Sequence, residues 1–596
     1  MKFFLGYFAL VFCLSNCATQ IEQSKPNIVY VLTDDQGYGD LGCHGNPWIQ
    51  TPNLDNLQSE SVTFTNFHVG TTCAPSRSGL MSGNNCNRVG AWHTIMGRSM
   101  LSDRFRTLPQ YLQEAGYSTG IFGKWHLGDN YPYRPQDRGF DEVLVHGGGG
   151  VGQTPDYWNN DYFDDTYFLN GEPQKYEGYC TDIWFEESIK FIKKSKEMGE
   201  PFFAYIATNA PHGPYHVPQK YIDMYSGNEN IPNPNFYGMI TNVDENVGKL
   251  EKALEEMGLR ENTIFIYMTD NGTSSGANFD KGGQVVKGFN ADMRAKKGSE
   301  YDGGHRVPFF IRFPKSMEIA KQSFSQLTSY VDFMPTVLDL LGIESKADQK
   351  FDGLSLKPLL TKGSDSSLDN RILVADTQRE EWPKKWKNAS VMQANWRLVN
   401  NKELYDLAKD PSQKENLIEQ FPEKGAELSQ GYENWWESIQ EDIKKENYLH
   451  VGAKQENPVI LTAHDWHSKE APPWNQNHIR EDFIGNGHWL IKVEESGKYK
   501  IKLFRWAPSL MKAMNENVKV GDPVEGGTPY NEGIGATFSA AKLKIGDLEL
   551  SSSSLPNPAY FEFEMALESG PNQLQTWLTD INGKERGAFY VQLEKL

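Results

Sequence analysis

The sequence predicts an α/β fold that is followed by a β-rich C-terminal region. Four short apolar runs with many β-branched residues have the pattern of buried parallel strands, at residues 27–33, 117–122, 201–207 and 262–269. Amphipathic spacing over 181–194 and 237–257 predicts long helices between these strands. From about residue 447 the pattern changes to short alternating strands separated by Gly, Pro, Asn and Ser, which predicts an accessory β-sandwich.

Composition is typical of a soluble globular protein. The chain has 596 residues, of which 38% are hydrophobic, and this is enough for several domains and a large core. Its formal net charge of -19 argues against nucleic acid or an anionic membrane as the main partner, because both attract clustered lysine and arginine.

The first residues have the layout of an export signal. Lys2 precedes an apolar run from Phe3 to Leu14, and small and polar residues follow, so residues 1–22 are expected to be a leader outside the fold. The residues up to Cys17 resemble a bacterial lipobox in which Cys17 would carry a lipid anchor, although Asn16 is unusual at its position. A periplasmic or cell-surface lipoprotein and a secreted protein both remain open. No later apolar run reaches the ~20 residues that span a bilayer.

The cysteines show no spacing typical of a metal site. No C-x-x-C or paired Cys/His pattern occurs among the six, which are Cys13, Cys17, Cys43, Cys73, Cys86 and Cys180. A disulfide between two of Cys43, Cys86 and Cys180 remains open.

Two predicted strands end in oxygen-bearing side chains. Asp34 and Asp35 follow the first strand, and Asp270 and Asn271 follow the strand at 262–269. Ligands bind at the carboxyl ends of strands in open α/β sheets, and adjacent carboxylates repel unless a cation lies between them. Such acids also occur as turn formers and helix caps, so the residues alone leave both interpretations open. If a metal binds, hard oxygen ligands favour Ca²⁺, then Mg²⁺, and disfavour zinc.

The segment Cys73–Gly83, CAPSRSGLMSG, is the most informative stretch of the chain. Pro75 suits the first position of a helix, so a helix is predicted from Ser76 to Met81 with Cys73 at its N-terminus. Free backbone N–H groups and the helix dipole favour an anion there, and Arg77 adds a fixed cation. The alternative is a buried, inert cysteine beside a helix cap.

This segment resembles the C-x-P-S-R signature of the type I sulfatases, which continues with two small residues, Leu, Met and Ser-Gly. In that family a maturation enzyme converts the cysteine to formylglycine, whose hydrated aldehyde is the nucleophile. The resemblance implies an alkaline-phosphatase-like core with a mixed central sheet flanked by helices, a small antiparallel subdomain and the accessory β-sandwich. The corresponding ranges are 1–22 for the leader, 23–370 for the catalytic domain, 371–446 for the subdomain and 447–596 for the β-sandwich.

The resemblance also implies roles for individual residues. Strand alternation sends Lys124 and His126 to one face and Trp125 to the other, and the first two match the family's Lys-x-His pair at the formylglycine and the sulfate. His212 matches the histidine beside the leaving-group oxygen, and Lys297 matches a sulfate-contacting lysine. The implied catalytic residues are Cys73, Arg77, Lys124, His126, His212 and Lys297. The implied Ca²⁺ ligands are Asp34, Asp35, Asp270, Asn271 and residue 73.

The expected substrate is a sulfate monoester on an extracellular polysaccharide, such as the algal glycans ulvan or carrageenan. Because the net charge repels an anionic glycan, a local cationic pocket must attract it. Selectivity is expected from the rim, for which we nominate the Gly147–Tyr162 loop, His216, His305 and the C-terminal module. Asp302 is expected to be structural.

Other interpretations of the whole chain remain open. An arylsulfatase, or a phosphate or phosphonate monoester hydrolase, would share the fold; a phosphatase would favour Ser or Thr as nucleophile and His-rich zinc sites. A non-catalytic glycan-binding protein on a sulfatase scaffold is disfavoured, because every matched position carries a competent residue. Among the C-terminal tryptophans, Trp489 and Trp506 are predicted in the core, whereas Trp466 and Trp474 could stack on sugars or fill the core.

Overall fold

A computed structural model of the protein describes residues 25–553 and 558–596. The predicted leader and the predicted lipid anchor at Cys17 lie outside these residues. Within them, no helix combines the length and the apolar character that a membrane crossing requires. The four cysteines of this part, Cys43, Cys73, Cys86 and Cys180, are all free thiols.

A ten-stranded mixed sheet forms the centre of the catalytic region, and its five middle strands are parallel. In spatial order the strands are Ser323–Phe324, Val62–Phe64, Phe309–Arg312, Thr263–Thr269, Asn27–Thr33, Phe202–Ala207, Ser118–Lys124, Glu142–His146, Thr166–Leu169 and Glu172–Lys175. Two short pairs complete this region, Phe67–His68 with Thr328–Ser329 and Ala277–Phe279 with Val285–Gly288.

The first strand shows why the sheet is central. All seven residues of Asn27–Thr33 are buried, and alternate side chains enter two hydrophobic clusters, with Tyr30 on one face and Val31 on the other. Thr33 pairs with Thr269 in the parallel register, so the chain leaves both strands at the same edge. This register brings the two predicted sets of oxygen ligands together.

Helices cover both faces of the sheet, as a parallel sheet with two apolar faces requires. The α-helices of the catalytic region are Pro52–Ser59, Cys73–Ser82, Cys86–Val89, Leu108–Glu114, Cys180–Met198, Gln219–Asp223, Pro234–Glu256, Asp302–His305, Phe333–Leu341 and Lys357–Lys362. Its 3₁₀ turns are Gly42–His44, Pro135–Arg138, Arg260–Asn262, Lys315–Met317, Tyr330–Asp332 and Ser366–Leu368.

A four-stranded antiparallel sheet and the helix Pro422–Ile443 follow. Its strands are Leu373–Asp376, Ala389–Gln393, Trp396–Val399 and Glu403–Asp406. The chain reverses between the second and the third of these strands. Ala394 adopts a left-handed φ of 48° in the turn, and the apolar alternation simply continues on the returning strand.

Two facing sheets form the C-terminal module. One contains Leu449–Val451, His488–Val493, Gly570–Asp580, Phe538–Ile545, Leu548–Ser553 and Glu585–Arg586, and the other contains Val459–Thr462, Tyr590–Lys595, Gly497–Phe504 and Tyr560–Leu567. The short helical segments of this module are Ala463–Asp465, Gln476–Arg480 and Pro508–Leu510. Trp466, Trp489 and Trp506 are buried in the core that the two sheets share. The predicted fold class is therefore confirmed, whereas the domain boundaries stay predictions.

Candidate active site

The predicted metal ligands meet at the carboxyl edge of the central sheet. Asp34, Asp35, Asp270 and Asn271 are all buried. The backbone N–H of Asp35 donates to Asp270 Oδ1 over 3.1 Å, and Asn271 Nδ2 donates to Asp35 Oδ1 over 3.0 Å. The four oxygen-bearing side chains therefore form one cluster, although more than 200 residues separate its two halves.

Each of the three carboxylates in this cluster has its own cationic partner. Lys124 Nζ lies 2.6 Å from Asp34 Oδ2, Lys297 Nζ lies 2.5 Å from Asp35 Oδ1, and Arg77 Nη2 lies 2.8 Å from Asp270 Oδ2. These pairings satisfy a basic requirement of burial, because an unpaired buried charge is very costly.

The pKa values reflect competition between burial and charge. Burial alone would raise the pKa of Asp35, but Lys297 and His212 hold it below the usual value. Burial and the nearby Asp34 raise the pKa of Asp270 to about 6, although Arg77 opposes this. The raised pKa of Asp270 indicates that Arg77 does not fully offset burial and the neighbouring acids at this carboxylate, which a further cation would stabilise.

The donor set fits a hard divalent cation. Asp34 Oδ1 and Asn271 Oδ1 are buried acceptors without a hydrogen-bond partner, and such groups are costly unless something binds them. Asp34, Asp35 and Cys73 also offer ligand atoms that lie within 4.8 Å of one another. Oxygen ligands of this kind suit Ca²⁺ or Mg²⁺ better than zinc.

Cys73 lies at the N-terminus of the helix Cys73–Ser82, all ten residues of which are buried. The helix begins at Cys73, three residues before the predicted start at Ser76. Pro75 is its third residue. A proline is tolerated in the first turn because the N–H groups there have no partner within the helix. Lys297 Nζ lies 3.9 Å from Cys73 Sγ. Burial raises the pKa of the Cys73 thiol, so the unmodified side chain is a poor nucleophile at neutral pH.

Cys73 opens into a cleft of about 530 Å³. The cleft contains three further predicted residues, His126, His212 and Lys297, together with Gly149 and Gln153 of the predicted rim loop. Arg77 and Lys124 do not line it. Arg77 instead donates to the carbonyl of Lys124 and pairs with Asp270, so it holds the signature helix against the strand ends.

His126 reaches the cleft by a local bend rather than by strand alternation. The strand ends at Lys124, and His126 has a left-handed φ of 61°, while Trp125 points into the core as predicted. Its Nε2 donates to the carbonyl of Thr94 over 2.9 Å, which leaves Nδ1 as a buried acceptor without a partner. Gly149 packs so closely that an added Cβ would lie 2.3 Å from the ring.

His212 also presents one nitrogen to the cleft. Its Nδ1 donates to the carbonyl of Gly213 over 2.6 Å, and Nε2 lies 3.8 Å from Asp35 Oδ2. Burial lowers its pKa to about 3, although Asp35 opposes the shift. The imidazole is neutral in this environment, with a free lone pair on Nε2.

Two predicted rim residues lie elsewhere. His305 is fully buried, where its Nδ1 lies 2.9 Å from Nδ1 of His68, so it cannot contact substrate. The glycines before it form a tight helical turn that directs the ring inward. His216 hydrogen bonds to the carbonyl of Asp161 and packs against Gly527 of the C-terminal module, away from the cleft lining.

The cleft also contains residues that sequence patterns did not identify. They come from three separated segments and are His93, Thr94, Ile95, Met96, Arg379, Glu380, Glu381, Trp382, Lys384, Ser468, Lys469 and Ala471. Trp474, for which the sequence left sugar stacking and core packing open, also lines the cleft. His93 accepts backbone hydrogen bonds at Nδ1 from Thr94 and Ile95. None of these segments has a recognisable motif, so only the chain path could reveal them.

Comparisons with known proteins agree with this geometry. The family model described as Sulfatase matches residues 26–343, which is more than half of the chain. The chain belongs to the sulfatase family. A second model, described as N-sulphoglucosamine sulphohydrolase, C-terminal, matches residues 296–430.

Individual sulfatases show similar levels of identity. Arylsulfatase J of Mus musculus is 31% identical over 356 residues, covering 57% of this chain and 56% of the relative. The ulvan-active sulfatase of Formosa agariphila is 31% identical over 399 residues, covering 62% of this chain and 71% of the relative. The matched part of the chain thus spans between about half and two thirds of the first curated relatives.

A solved structure with the same fold is Ps i-CgsB in complex with k-i-k-neocarrahexaose. It is 28% identical, has a TM-score of 0.63, and covers 71% of this chain and 95% of that protein. Both family matches end before the C-terminal β-sandwich begins.

Proposed function

We propose that this sulfatase-family protein hydrolyses sulfate monoesters with formylglycine at position 73. The observation that carries the proposal is the position of Lys297, whose Nζ lies 2.5 Å from Asp35 Oδ1 and 3.9 Å from Cys73 Sγ. The signature residue, the acidic cluster and a sulfate-binding cation therefore meet at one point. The hydrated aldehyde would supply the attacking oxygen and then a second hydroxyl that expels sulfate.

A Ca²⁺ ion is the proposed cofactor, with Mg²⁺ as second choice. Asp34, Asp35, Asp270 and Asn271 would hold it together with residue 73. The ion would offset the charge of the acids and strengthen the positive potential that receives the sulfate.

Lysine side chains would neutralise charge on the sulfate, and histidine side chains would transfer protons. Lys297, at the cleft surface, and Lys124, directly beneath it, would neutralise the charge that develops on the sulfate oxygens. His126 can accept a proton at Nδ1, because its Nε2 is already donating to Thr94. His212, neutral in the free site, would first take up a proton from solvent at Nε2 and then deliver it to the leaving alcohol. A bound sulfate favours that role, since a nearby anion raises the pKa of an imidazole.

The proposed substrate is a sulfated polysaccharide or its oligosaccharides, with algal glycans first. The relative from Formosa agariphila is named ulvan-active, and the similar solved structure contains a neocarrahexaose. An exported protein, lipidated at Cys17 or secreted, would meet such substrates outside the cytoplasm. A formylglycine-generating enzyme is the implied maturation partner. Because Cys73–Ser82 is buried, this enzyme would have to act before the chain folds.

An ester-specificity assay tests the proposal. The matured protein is incubated with 4-methylumbelliferyl sulfate and, separately, with 4-methylumbelliferyl phosphate and a phosphonate monoester. We expect sulfate release to exceed phosphate release in kcat/KM by several orders of magnitude. A preference for the phosphorus esters would support a phosphatase or phosphonate hydrolase instead. Absence of turnover on every ester and on a panel of sulfated oligosaccharides would support the non-catalytic interpretation.

A further inference from the structure

One wall of the active-site cleft comes from the C-terminal module, outside both family matches. Lys469 and Trp474 line the cleft. Their segment is attached to the rim loop of the catalytic region, because the N–H of Thr154 donates to the carbonyl of Trp474 over 3.0 Å. Gln153 and Asn475 also form a β-bridge beside this contact. These contacts hold this part of the C-terminal module at the edge of the cleft.

The segment 379–384 of the chain also lines the cleft, and its acidic groups have partners. Glu380 binds Lys384 over 2.9 Å and also pairs with Lys387. Glu381 lies 3.5 Å from His467 Nδ1, a contact that lowers the pKa of this glutamate. Glu380 is therefore offset by two lysines, and Glu381 faces His467 and the nearby Arg98.

Two exposed cations remain, one in each of these segments. Arg379 and Lys469 both line the cleft, and neither forms an ion pair with any residue in 25–553 or 558–596. This is notable in a chain with a formal net charge of -19. Such a pair raises the local positive potential where an anionic ligand would enter.

An aromatic surface lies next to these cations. Trp382 is 40% exposed, and the Arg98 guanidinium lies 4.3 Å from its ring centroid. Arg98 is itself held by Glu446, so the indole has a fixed orientation with part of its surface open to the cleft. Trp474, which is half-buried, lines the cleft from the C-terminal module, with its ring 5.4 Å from that of His478. Fixed indoles suit the apolar faces of sugar rings at little entropic cost.

We propose that Arg379 and Lys469, flanked by Trp382 and Trp474, form a subsite for an anionic group on the sugar adjacent to the one that loses sulfate. The group is a second sulfate or a uronate carboxylate. This inference rests on the proposed function, because it takes position 73 as the point of ester cleavage. It assigns the C-terminal module a direct part in choosing polyanionic glycans over singly sulfated ones.

Binding to a full-length Cys73→Ala protein tests this subsite without turnover. Isothermal titration calorimetry would compare κ-neocarrabiose 4-sulfate, which has a neutral neighbouring sugar, with ι-neocarrabiose disulfate, whose neighbouring sugar carries a second sulfate. A sulfated ulvan disaccharide is the third probe, and its uronate tests whether the subsite binds a carboxylate. We expect at least one of the two dianionic probes to bind about tenfold more tightly than the monosulfate at low salt.

Adding Arg379→Gln and Lys469→Gln should remove most of this preference and leave the affinity for the monosulfate within about twofold, because the monosulfate has no second anion for these two cations to bind. Lys584→Gln is the matched control, since Lys584 is an exposed, unpaired lysine of the same module that is absent from the cleft lining. It should keep the preference. Trp382→Leu should weaken all three probes similarly.

Several results would overturn the inference. They are equal affinity for all probes, no binding of any probe, or a preference that survives the double substitution. The ester assay on the unsubstituted protein is independent of these results. Sulfate release without an anion preference would remove the subsite and keep the proposed function. An anion preference without sulfate release would remove the proposed function, and with it the assignment of a neighbouring-sugar subsite.

Discussion

Arg77 and Asp270 form a fully buried ion pair, with 2.8 Å between Nη2 and Oδ2. Arg77 lies one turn into the signature helix, and Asp270 follows a central strand almost 200 residues later. A second Arg77 nitrogen donates to the carbonyl of Lys124 over 3.0 Å. One side chain therefore joins the helix, the acidic cluster and the end of a third strand, which makes its loss informative.

Replacing this arginine should cost both stability and activity. Arg77→Met leaves Asp270 buried without its cation, so we expect the free energy of unfolding to fall by about 3 kcal/mol. Adding Asp270→Asn should recover part of that loss but no sulfate-ester turnover, because a proposed metal ligand is then missing. Urea unfolding and ester assays on the single and double variants measure the two effects. A double variant no more stable than Arg77→Met would contradict the pairing argument.

Conversion of the signature cysteine can be measured directly. Protein made together with a maturation enzyme should yield a peptide whose mass shows an aldehyde at position 73, and ester turnover should rise with the converted fraction. Cys73→Ala should lose turnover while its thermal unfolding stays close to that of the parent protein. Full activity in protein that contains only the thiol would refute formylglycine.

Metal content should follow the acidic cluster. Asp34→Asn removes one carboxylate from the proposed ligand set, so bound Ca²⁺ and turnover should be lost together. Elemental analysis by mass spectrometry gives the metal content independently of activity, and Ca²⁺ should raise the melting temperature of the parent but not of the variant. Asp547→Asn, at an exposed and unpaired aspartate, is the control. Stoichiometric zinc in active protein, with calcium absent, would be evidence against this site.

Gly149 should matter because of His126. An alanine Cβ would lie 2.3 Å from the imidazole ring, so Gly149→Ala must displace the ring or the loop. A displacement of about 1 Å at a catalytic group can cost on the order of 100-fold in rate, and we expect kcat to fall by that order. Gly150→Ala is the matched control, because its Cβ would lie 3.3 Å from the flexible end of Gln153 and no closer than 3.5 Å to the His212 ring, which is ordinary van der Waals contact. Equal kcat values for the two variants would contradict the predicted role of His126.

The buried pair Asp302–Arg397, with 2.9 Å between Oδ1 and Nε, should stabilise the fold without contacting the cleft. Burial alone would raise the pKa of Asp302, but Arg397 holds it below the usual value. A depressed carboxylate pKa stabilises the folded state above the unfolded pKa of about 3.9, and this contribution is lost as pH falls toward the folded pKa.

Arg397→Met should therefore destabilise the protein by about 3 kcal/mol at pH 7. The deficit should shrink toward pH 5, because the unpaired Asp302 then takes up a proton more easily. Burial, together with the charge of Arg397, lowers the pKa values of the neighbouring His68 and His305. Melting temperatures of parent and variant at both pH values measure the effect. A deficit that does not change with pH would mean that charge on Asp302 is not its cause.

Several features could be predicted because they are encoded in short stretches. Buried parallel strands have a characteristic run of apolar residues. The apolar pattern alone was therefore enough to predict that two strands end just before Asp34 and Asp270. Parallel strands end at a common edge, which is why the two acid sets could be expected to meet there. Strand alternation correctly sent Trp125 inward, yet His126 reaches the cleft through a positive φ that alternation does not describe.

The sequence by itself determined the fold class, the signature cysteine and the oxygen-bearing side chains at the strand ends, because each depends on neighbouring residues or on strand periodicity. Tertiary structure alone decided that Arg77 pairs with Asp270, that His305 is buried, and that Arg379 and Lys469 line the same cleft. Such contacts join positions separated by up to several hundred residues. They depend on how sheets stack and loops close, and no local pattern carries that information.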